Sequence, residues 1–313
     1  MESAAFVVDL STSIGPLRLE NPILLASGTF GGVQDTVLDV NRLGGVVAKT
    51  VTMEPRKGNP PPRVWETPSG MLNSIGLDNK GLEGWISEEL PRYSEYRCRL
   101  IVSVSGRTAE EYGALVRRLS EFARIDAFEL NISCPNVSHG LDYGTDPALT
   151  EKVVRIARDA TPKPVIAKLT PNVTDIVQIA DAALQGGADA LSLVNTLKGI
   201  ALDWRRRRPS LGAGTGGLSG PAIKPVALRM VWEVCSKFPR AAVVGIGGIS
   251  NSEDVLEFVA AGACAVQIGT ACFVDVAAPR RILEELPSKL AAAKISRVTE
   301  LIGTARSATA SSC

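Results

Sequence analysis

Short apolar runs alternate with amphipathic segments along this chain, and the alternation repeats eight times. Each run is almost continuously hydrophobic, which is typical of parallel strands covered on both faces. The predicted strands span residues 22–26, 45–50, 100–105, 127–132, 164–169, 190–195, 242–247 and 264–269. Eight strand–helix units favour an α/β fold of the (β/α)8 TIM barrel type.

Two of the amphipathic segments show clear helix boundaries. Thr108 with Glu111 predicts a capping box at the start of one helix. The segment that begins at Ser252 opens with a cap and acidic residues and ends at Gly262. These signals support a helix after the third strand and another after the seventh.

The remaining segments decide between two architectures. A doubly wound sheet would carry a GxGxxG fingerprint after the first strand, but residues 26–32 read Ala-Ser-Gly-Thr-Phe-Gly-Gly.

Residues 7–19 predict a β-hairpin that plugs the amino-terminal end of the barrel. Insertions at 54–80 and 198–221 follow the second and sixth strands, at the end where barrels build active sites. We expect a single domain over 1–305 and a disordered tail over 306–313.

Composition excludes several classes of partner. The chain has 313 residues, of which 45% are hydrophobic and 21% charged, and its net charge of +1 gives no reason to expect nucleic acid or an anionic membrane. Four consecutive arginines at 205–208 are interpreted as a solvated loop. No apolar stretch approaches the roughly 18 residues of a membrane span. The six cysteines lack zinc or iron–sulfur spacing, so we expect no metal, reduced thiols and a cytoplasmic location.

The segment 129–136, Glu-Leu-Asn-Ile-Ser-Cys-Pro-Asn, carries the clearest candidate chemistry. Cys134 follows a strand end and lies between the amide side chains of Asn131 and Asn136. This arrangement suggests proton transfer on a small planar substrate. The alternative is a buried structural cysteine, because free cysteine is among the most buried residue types.

Glycines and lysines at other strand ends point to a charged ligand. Glycine-rich turns follow the seventh and eighth strands, where barrels commonly bind phosphate through backbone N–H groups. Lys49 and Lys168 each lie within an otherwise apolar strand, and a buried ammonium requires a negative partner. A reduced flavin is one such partner.

These motifs, in this order, resemble those of the class 1 dihydroorotate dehydrogenases. The resemblance runs from about Asn21 to the last predicted helix. It is carried by Lys49, Asn-Ser-Ile-Gly-Leu at 73–77, Asn-Ile-Ser-Cys-Pro-Asn at 131–136, Lys168, Val-Asn-Thr at 194–196, residues 215–221, Gly247–Gly248 and Gly269–Thr270.

The resemblance implies an FMN enzyme that oxidises (S)-dihydroorotate to orotate in de novo pyrimidine biosynthesis. Cys134 would be the base at C5, hydride would pass from C6 to FMN N5, and Lys168 would stabilise the charge on the reduced ring. The implied FMN residues are Ser27, Lys49, Thr50, Ser103, Asn131, Lys168, Val194, Asn195, Thr196, Gly220, Gly247, Gly248, Gly269 and Thr270. The implied substrate residues are Lys49, Asn73, Ser74, Ile75, Gly76, Leu77, Asn131, Asn136, Asn195 and Thr196.

Residues 144–147 and 215–225 look like the NAD-linked subclass. That resemblance implies a homodimer, joined by a partner subunit with FAD and a 2Fe–2S cluster to form a heterotetramer. Ser103 departs from this subclass, which usually has an asparagine there that contacts FMN, whereas fumarate-linked enzymes tend to have serine. His139 is interpreted as a loop residue.

Three alternatives stay open at this point. The first is a fumarate-linked homodimeric dihydroorotate dehydrogenase. The second is a flavoprotein similar to dihydropyrimidine dehydrogenase, which would share the barrel and the cysteine base. The third is a barrel that binds flavin or phosphate without turnover and acts as an interaction subunit.

Overall fold

The computed structural model describes residues 7–31, 36–133 and 143–306. Its strands are β1 (Thr12–Ile14), β2 (Leu17–Leu19), β3 (Ile23–Leu25), β4 (Gly45–Val51), β5 (Val64–Thr67), β6 (Gly70–Asn73), β7 (Arg99–Val104), β8 (Ala127–Asn131), β9 (Val165–Leu169), β10 (Ala190–Leu193), β11 (Leu197–Ile200), β12 (Leu202–Asp203), β13 (Arg208–Pro209), β14 (Thr215–Ser219), β15 (Val243–Ile246) and β16 (Ala265–Ile268). Eight of them close a parallel barrel in the order β3-β4-β7-β8-β9-β10-β15-β16. The predicted TIM barrel is therefore confirmed.

All eight predicted barrel strands are present, with ends that differ by at most two residues. Pro22 and Pro164 fall just outside β3 and β9, since proline has no N–H to donate to the ladder. Several strands end just before polar or glycine residues, which then lie in the loops at the carboxyl end of the barrel. The exceptions include β4, which contains Thr50, and β8, which ends on Asn131.

The helices surround the barrel. They are α1 (Gly81–Gly84), α2 (Leu90–Tyr93), α3 (Ala109–Ser120), α4 (Pro147–Asp159), α5 (Ile176–Gln185), α6 (Lys224–Lys237), α7 (Ser252–Ala261), α8 (Ala271–Val274) and α9 (Ala278–Ala292), with a π-helical turn at Trp85–Glu89 and 3-10 turns at Val40–Arg42, Pro221–Ile223 and Val298–Leu301. The described part contains no helix that is both long and apolar enough to cross a membrane.

The predicted helix caps hold in part. Thr108 caps α3 by accepting a hydrogen bond from the Glu111 N–H at 3.2 Å, but the Glu111 carboxylate accepts from the Arg107 N–H at 2.7 Å instead of closing the box on Thr108. In α7 the cap is Asn251, one residue before the predicted Ser252. Asn251 forms a capping box with Asp254, and α7 ends at Gly262 as predicted, where φ is 126°.

The predicted plug is present. Strands β1 and β2 form an antiparallel hairpin, with Ile14 opposite Leu17. Ile14, Leu17 and Leu19 are buried in a cluster with residues of the barrel strands, including Leu24 and Val47. The amino-terminal end of the barrel is thus closed by apolar side chains.

The two insertions pair with each other. Strands β5 and β6 come from the first insertion and β11 and β14 from the second, and together they form one antiparallel sheet in the order β11-β14-β6-β5. Asn73 lies opposite Gly217 in this sheet. The arginine run at 205–208 is exposed as predicted, and the Arg205 guanidinium lies 4.5 Å from the centre of the Trp204 ring.

We predict that Ile14→Ala destabilises the protein by about 2–5 kcal/mol, because it leaves a cavity where the plug fills the barrel. Urea unfolding followed by circular dichroism measures this change. Ser13→Ala is the matched control, since Ser13 is exposed on the same strand. Equal midpoints for the two variants would show that the hairpin does not serve as a plug.

Candidate active site

One cavity of about 940 Å³ lies at the carboxyl ends of the barrel strands. Its wall includes Ser27 after β3, Lys49 and Thr50 of β4, and Asn131 at the end of β8. Residues of both insertions complete it. The parallel barrel explains this arrangement, because all eight strands end on the same side.

The cavity brings together most of the residues predicted from the sequence. Those that line it are Ser27, Lys49, Thr50, Asn73, Ser74, Ile75, Gly76, Leu77, Asn131, Lys168, Val194, Asn195, Thr196, Gly220, Gly247, Gly248, Gly269 and Thr270. Cys134, Asn136 and His139 lie outside the described residues.

Ser103 is not part of the cavity wall formed by the described residues. It is fully buried on β7, and its hydroxyl lies 2.9 Å from the Thr50 Oγ1 atom. Thr50 lines the cavity and also accepts a hydrogen bond from the Asn131 amide at 3.2 Å. Ser103 therefore supports the wall through Thr50, and its contact with FMN stays a prediction.

A second group of hydrogen bonds orders the amides at the ends of β8 and β10. The Asn195 amide donates to Ser133 Oγ at 2.5 Å, and Ser133 Oγ donates to Asn131 Oδ1 at 3.2 Å. The side-chain oxygen Oδ1 of Asn195 accepts from the Thr196 N–H at 2.8 Å. Ser133 immediately precedes Cys134 in the chain. These hydrogen bonds thus fix Ser133, the residue immediately before Cys134 in the sequence.

Lys49 is a partly buried cation on the cavity wall. Burial lowers the pKa of its ammonium, and the nearby Arg63 guanidinium lowers it further, whereas Asp78 opposes the shift. Asp78 is engaged elsewhere, because Arg63 Nη1 lies 2.8 Å from its carboxylate. Lys49 is consequently a cation that an anionic ligand would stabilise.

The turns after β15 and β16 fit a phosphate group. Gly247 and Gly248 have φ values of 126° and 77°, and a Cβ atom on Gly248 would lie 2.8 Å from the Lys224 backbone nitrogen. Within the described part of the chain, the N–H groups of Gly248 and Gly269 donate no hydrogen bond to another backbone group. Backbone N–H groups in such turns suit the oxygens of a phosphate group.

Three functional candidates did not emerge from the sequence reasoning. Glu129 is fully buried on β8, and its carboxylate lies 3.2 Å from the Lys168 ammonium. Ser192 and Gln267 donate to the same carboxylate at 3.0 Å and 2.5 Å. The sequence did contain a signal for Glu129. It is the one acidic residue in the eight predicted strands, and it shares a face of its strand with Asn131.

A family model described as dihydroorotate dehydrogenase matches residues 9–290. The chain is 49% identical over 298 residues to a protein of Geobacter sp. (strain M21), covering 94% of this chain and 97% of the relative. It is 50% identical to a protein of Geotalea daltonii with the same coverage, and 48% identical to one of Desulforamulus reducens over 95% of this chain and 99% of the relative. Each relative is named dihydroorotate dehydrogenase B (NAD(+)), catalytic subunit.

Lys49→Met is expected to raise the melting temperature of the ligand-free protein by about 2 °C, because burial disfavours the ammonium at this position. Differential scanning calorimetry at neutral pH measures the change. The matched control is Lys198→Met, since Lys198 lines the same cavity but is exposed. If Lys49→Met melted at a lower temperature than the control, the claim that Lys49 destabilises the ligand-free protein would be wrong.

Proposed function

Because the chain belongs to the dihydroorotate dehydrogenase family, we propose that it oxidises (S)-dihydroorotate to orotate in de novo pyrimidine biosynthesis and passes the electrons to NAD through a partner subunit. The observation that carries the proposal is the cavity at the carboxyl ends of the strands. It gathers eighteen residues that sequence reasoning assigned to flavin and substrate. A structural barrel without turnover would have no need of a buried and a partly buried lysine there.

The cofactor in this proposal is FMN. Gly247, Gly248, Gly269 and Thr270 hold its phosphate, and the remaining group surrounds the ring and ribityl chain. That group comprises Ser27, Lys49, Thr50, Asn131, Lys168, Val194, Asn195, Thr196 and Gly220, with Ser103 acting through Thr50. When bound, FMN supplies a hydride acceptor at N5.

Substrate recognition in this proposal uses the amides and Lys49. Asn73, Asn131, Asn136 and Asn195 each offer a donor and an acceptor, which suits the alternating N–H and C=O groups of the pyrimidine ring. Lys49 pairs with the substrate carboxylate and is stabilised by it. The turn Ser74, Ile75, Gly76 and Leu77, together with Thr196, closes around the ring.

Cys134 is the proposed base. Its thiolate takes the proton from C5 of dihydroorotate. Lys168 would stabilise the negative charge on the reduced flavin ring. The hydrogen bond from Asn195 to Ser133 supports this assignment, since it anchors the residue next to Cys134. The other amide of that network, Asn131, lines the same cavity.

The proposed electron acceptor is NAD. The name of the relatives, a catalytic subunit of an NAD(+) enzyme, supports a separate partner, which we propose carries FAD and a 2Fe–2S cluster in a heterotetramer built on a homodimer. Ser103 is the feature that favours the fumarate-linked alternative. Since Ser103 lies behind Thr50 and outside the cavity wall, it bears little on the choice. A cytoplasmic location belongs to the same proposal.

We predict that Cys134→Ala retains FMN but lowers the rate of flavin reduction by dihydroorotate at least about a hundredfold, the usual size of a general-base effect. In the wild type this rate rises with pH, because an ordinary thiol has a pKa of about 8.5 and only its thiolate accepts a proton. Anaerobic stopped-flow bleaching of the flavin measures both effects.

Cys98→Ala is the control thiol variant for that experiment. Burial raises the pKa of Cys98 to about 11, and the residue lies outside the cavity, so the variant should reduce its flavin as the wild type does. A wild-type rate that stays flat from mildly acidic to alkaline pH would remove Cys134 from the role of base.

A separate experiment tests the acceptor. We expect the purified chain alone to bleach with dihydroorotate but to turn over with neither fumarate nor NAD. Co-expression with a flavin and iron–sulfur subunit should restore NAD reduction. Steady-state turnover with fumarate by the lone chain would replace the NAD-linked assignment with the fumarate-linked one, whereas failure to bleach with dihydroorotate would reject the function itself.

A further inference from the structure

A buried ion pair between Glu129 and Lys168 lies at the cavity, and Lys168 is its member on the cavity wall. The Glu129 side chain has no exposed surface and that of Lys168 is 9% exposed, and Nζ lies 3.2 Å from Oε1. Lys168 lines the cavity, while Glu129 lies one layer deeper, because Asn131 and not Glu129 is the β8 residue opposite Lys168. The ammonium thus has a carboxylate on its inner side and the cavity on its outer side.

The carboxylate is held from three directions. Lys168 contacts Oε1, while Ser192 Oγ and Gln267 Nε2 donate to Oε2 at 3.0 Å and 2.5 Å. These donors come from β9, β10 and β16, so the bonds reach across the closed barrel. Three donors to one carboxylate offset the cost of removing it from water.

We propose that Glu129 is a positioning residue, which fixes the Lys168 ammonium at the cavity wall and presents it to the flavin as half of a neutral pair. This inference rests on the proposed function, since it requires FMN in the cavity. It differs from the sequence-based interpretation, in which the flavin itself is the negative partner of Lys168. Lys168 already has a partner in the protein without any cofactor.

The pair has a consequence for the cofactor. A lone ammonium would strongly favour negative charge on the reduced flavin, and the carboxylate behind it offsets part of that effect. Glu129 therefore lowers the flavin midpoint potential relative to a site that contains Lys168 alone. A lower potential favours passing the electrons onward over retaining them.

The first experiment tests the pair without flavin. Thermal unfolding of the flavin-free full chain is compared for Glu129→Gln, Lys168→Met and the double variant. Each single variant should lose roughly 5 to 10 °C, because one buried charge is left unpaired, and the double variant should recover a large part of the loss. The matched control is the cycle of Lys80→Met and Glu88→Gln, an exposed pair at 2.6 Å, which should show additive changes.

The second experiment measures the flavin midpoint potential of the FMN-bound chain by equilibration with a reference dye. Glu129→Gln should stabilise reduced over oxidised flavin about tenfold, a rise of about 30 mV for a two-electron couple. Lys168→Met should lower the potential, and the double variant should lie above Lys168→Met. Asp126→Asn is the control, since Asp126 pairs with Arg99 and Arg124 before β8, at the opposite end of the barrel.

Each outcome decides the question. Additive losses in the first cycle, or an unchanged potential in Glu129→Gln, would overturn the inference. Single variants that do not fold beside a double variant that does would support it, whereas a double variant that also fails to fold would count against it. A wild-type chain that takes up no FMN would refute the proposed function instead, and the flavin-free cycle would still test the pair.

Discussion

Closure of the barrel is the constraint on which the site depends. Gln267 and Glu129 are separated by 138 positions, and their hydrogen bond exists because β16 and β8 belong to one closed sheet. The register of β8 is equally strict, since a shift of one residue would turn Glu129 and Asn131 out of the barrel. Buried polar side chains therefore specify the strand alignment here, while apolar packing supplies most of the stability.

The barrel interior is divided into two layers with different tasks. At the amino-terminal end, Ile14 and Leu17 of the plug pack on Leu24 and Val47, so this layer is apolar and closed. At the carboxyl end the inward positions are occupied by Lys168, Gln267 and Asn131, and the layer opens into the cavity. The cost of burying these polar side chains is offset by the apolar layer beneath them, which excludes water and holds the strands in place.

Sequence reasoning reached the strands and the lysines because both are local signals. An apolar run with lysine inside it can be recognised without knowing its neighbours. Pairings between distant segments are different: Glu129 with Gln267, and the sheet that joins the two insertions, depend on strand order and closure. The position of Ser103 behind Thr50 belongs to the same class, since the depth of a side chain follows from packing and not from its place in a strand. The Cys134 assignment rests on sequence alone.

Lys49 and Lys168 show how similar strand patterns lead to different electrostatic solutions. Lys168 has a dedicated carboxylate with two further hydrogen bonds, so its charge is balanced before any ligand arrives. Among the described residues, Asp78 is the carboxylate that opposes the effect of burial on Lys49, and Asp78 is bound by Arg63. A ligand anion therefore gains more from Lys49 than from Lys168. This asymmetry supports the proposal that Lys49 pairs with the substrate carboxylate and that the flavin lies against Lys168.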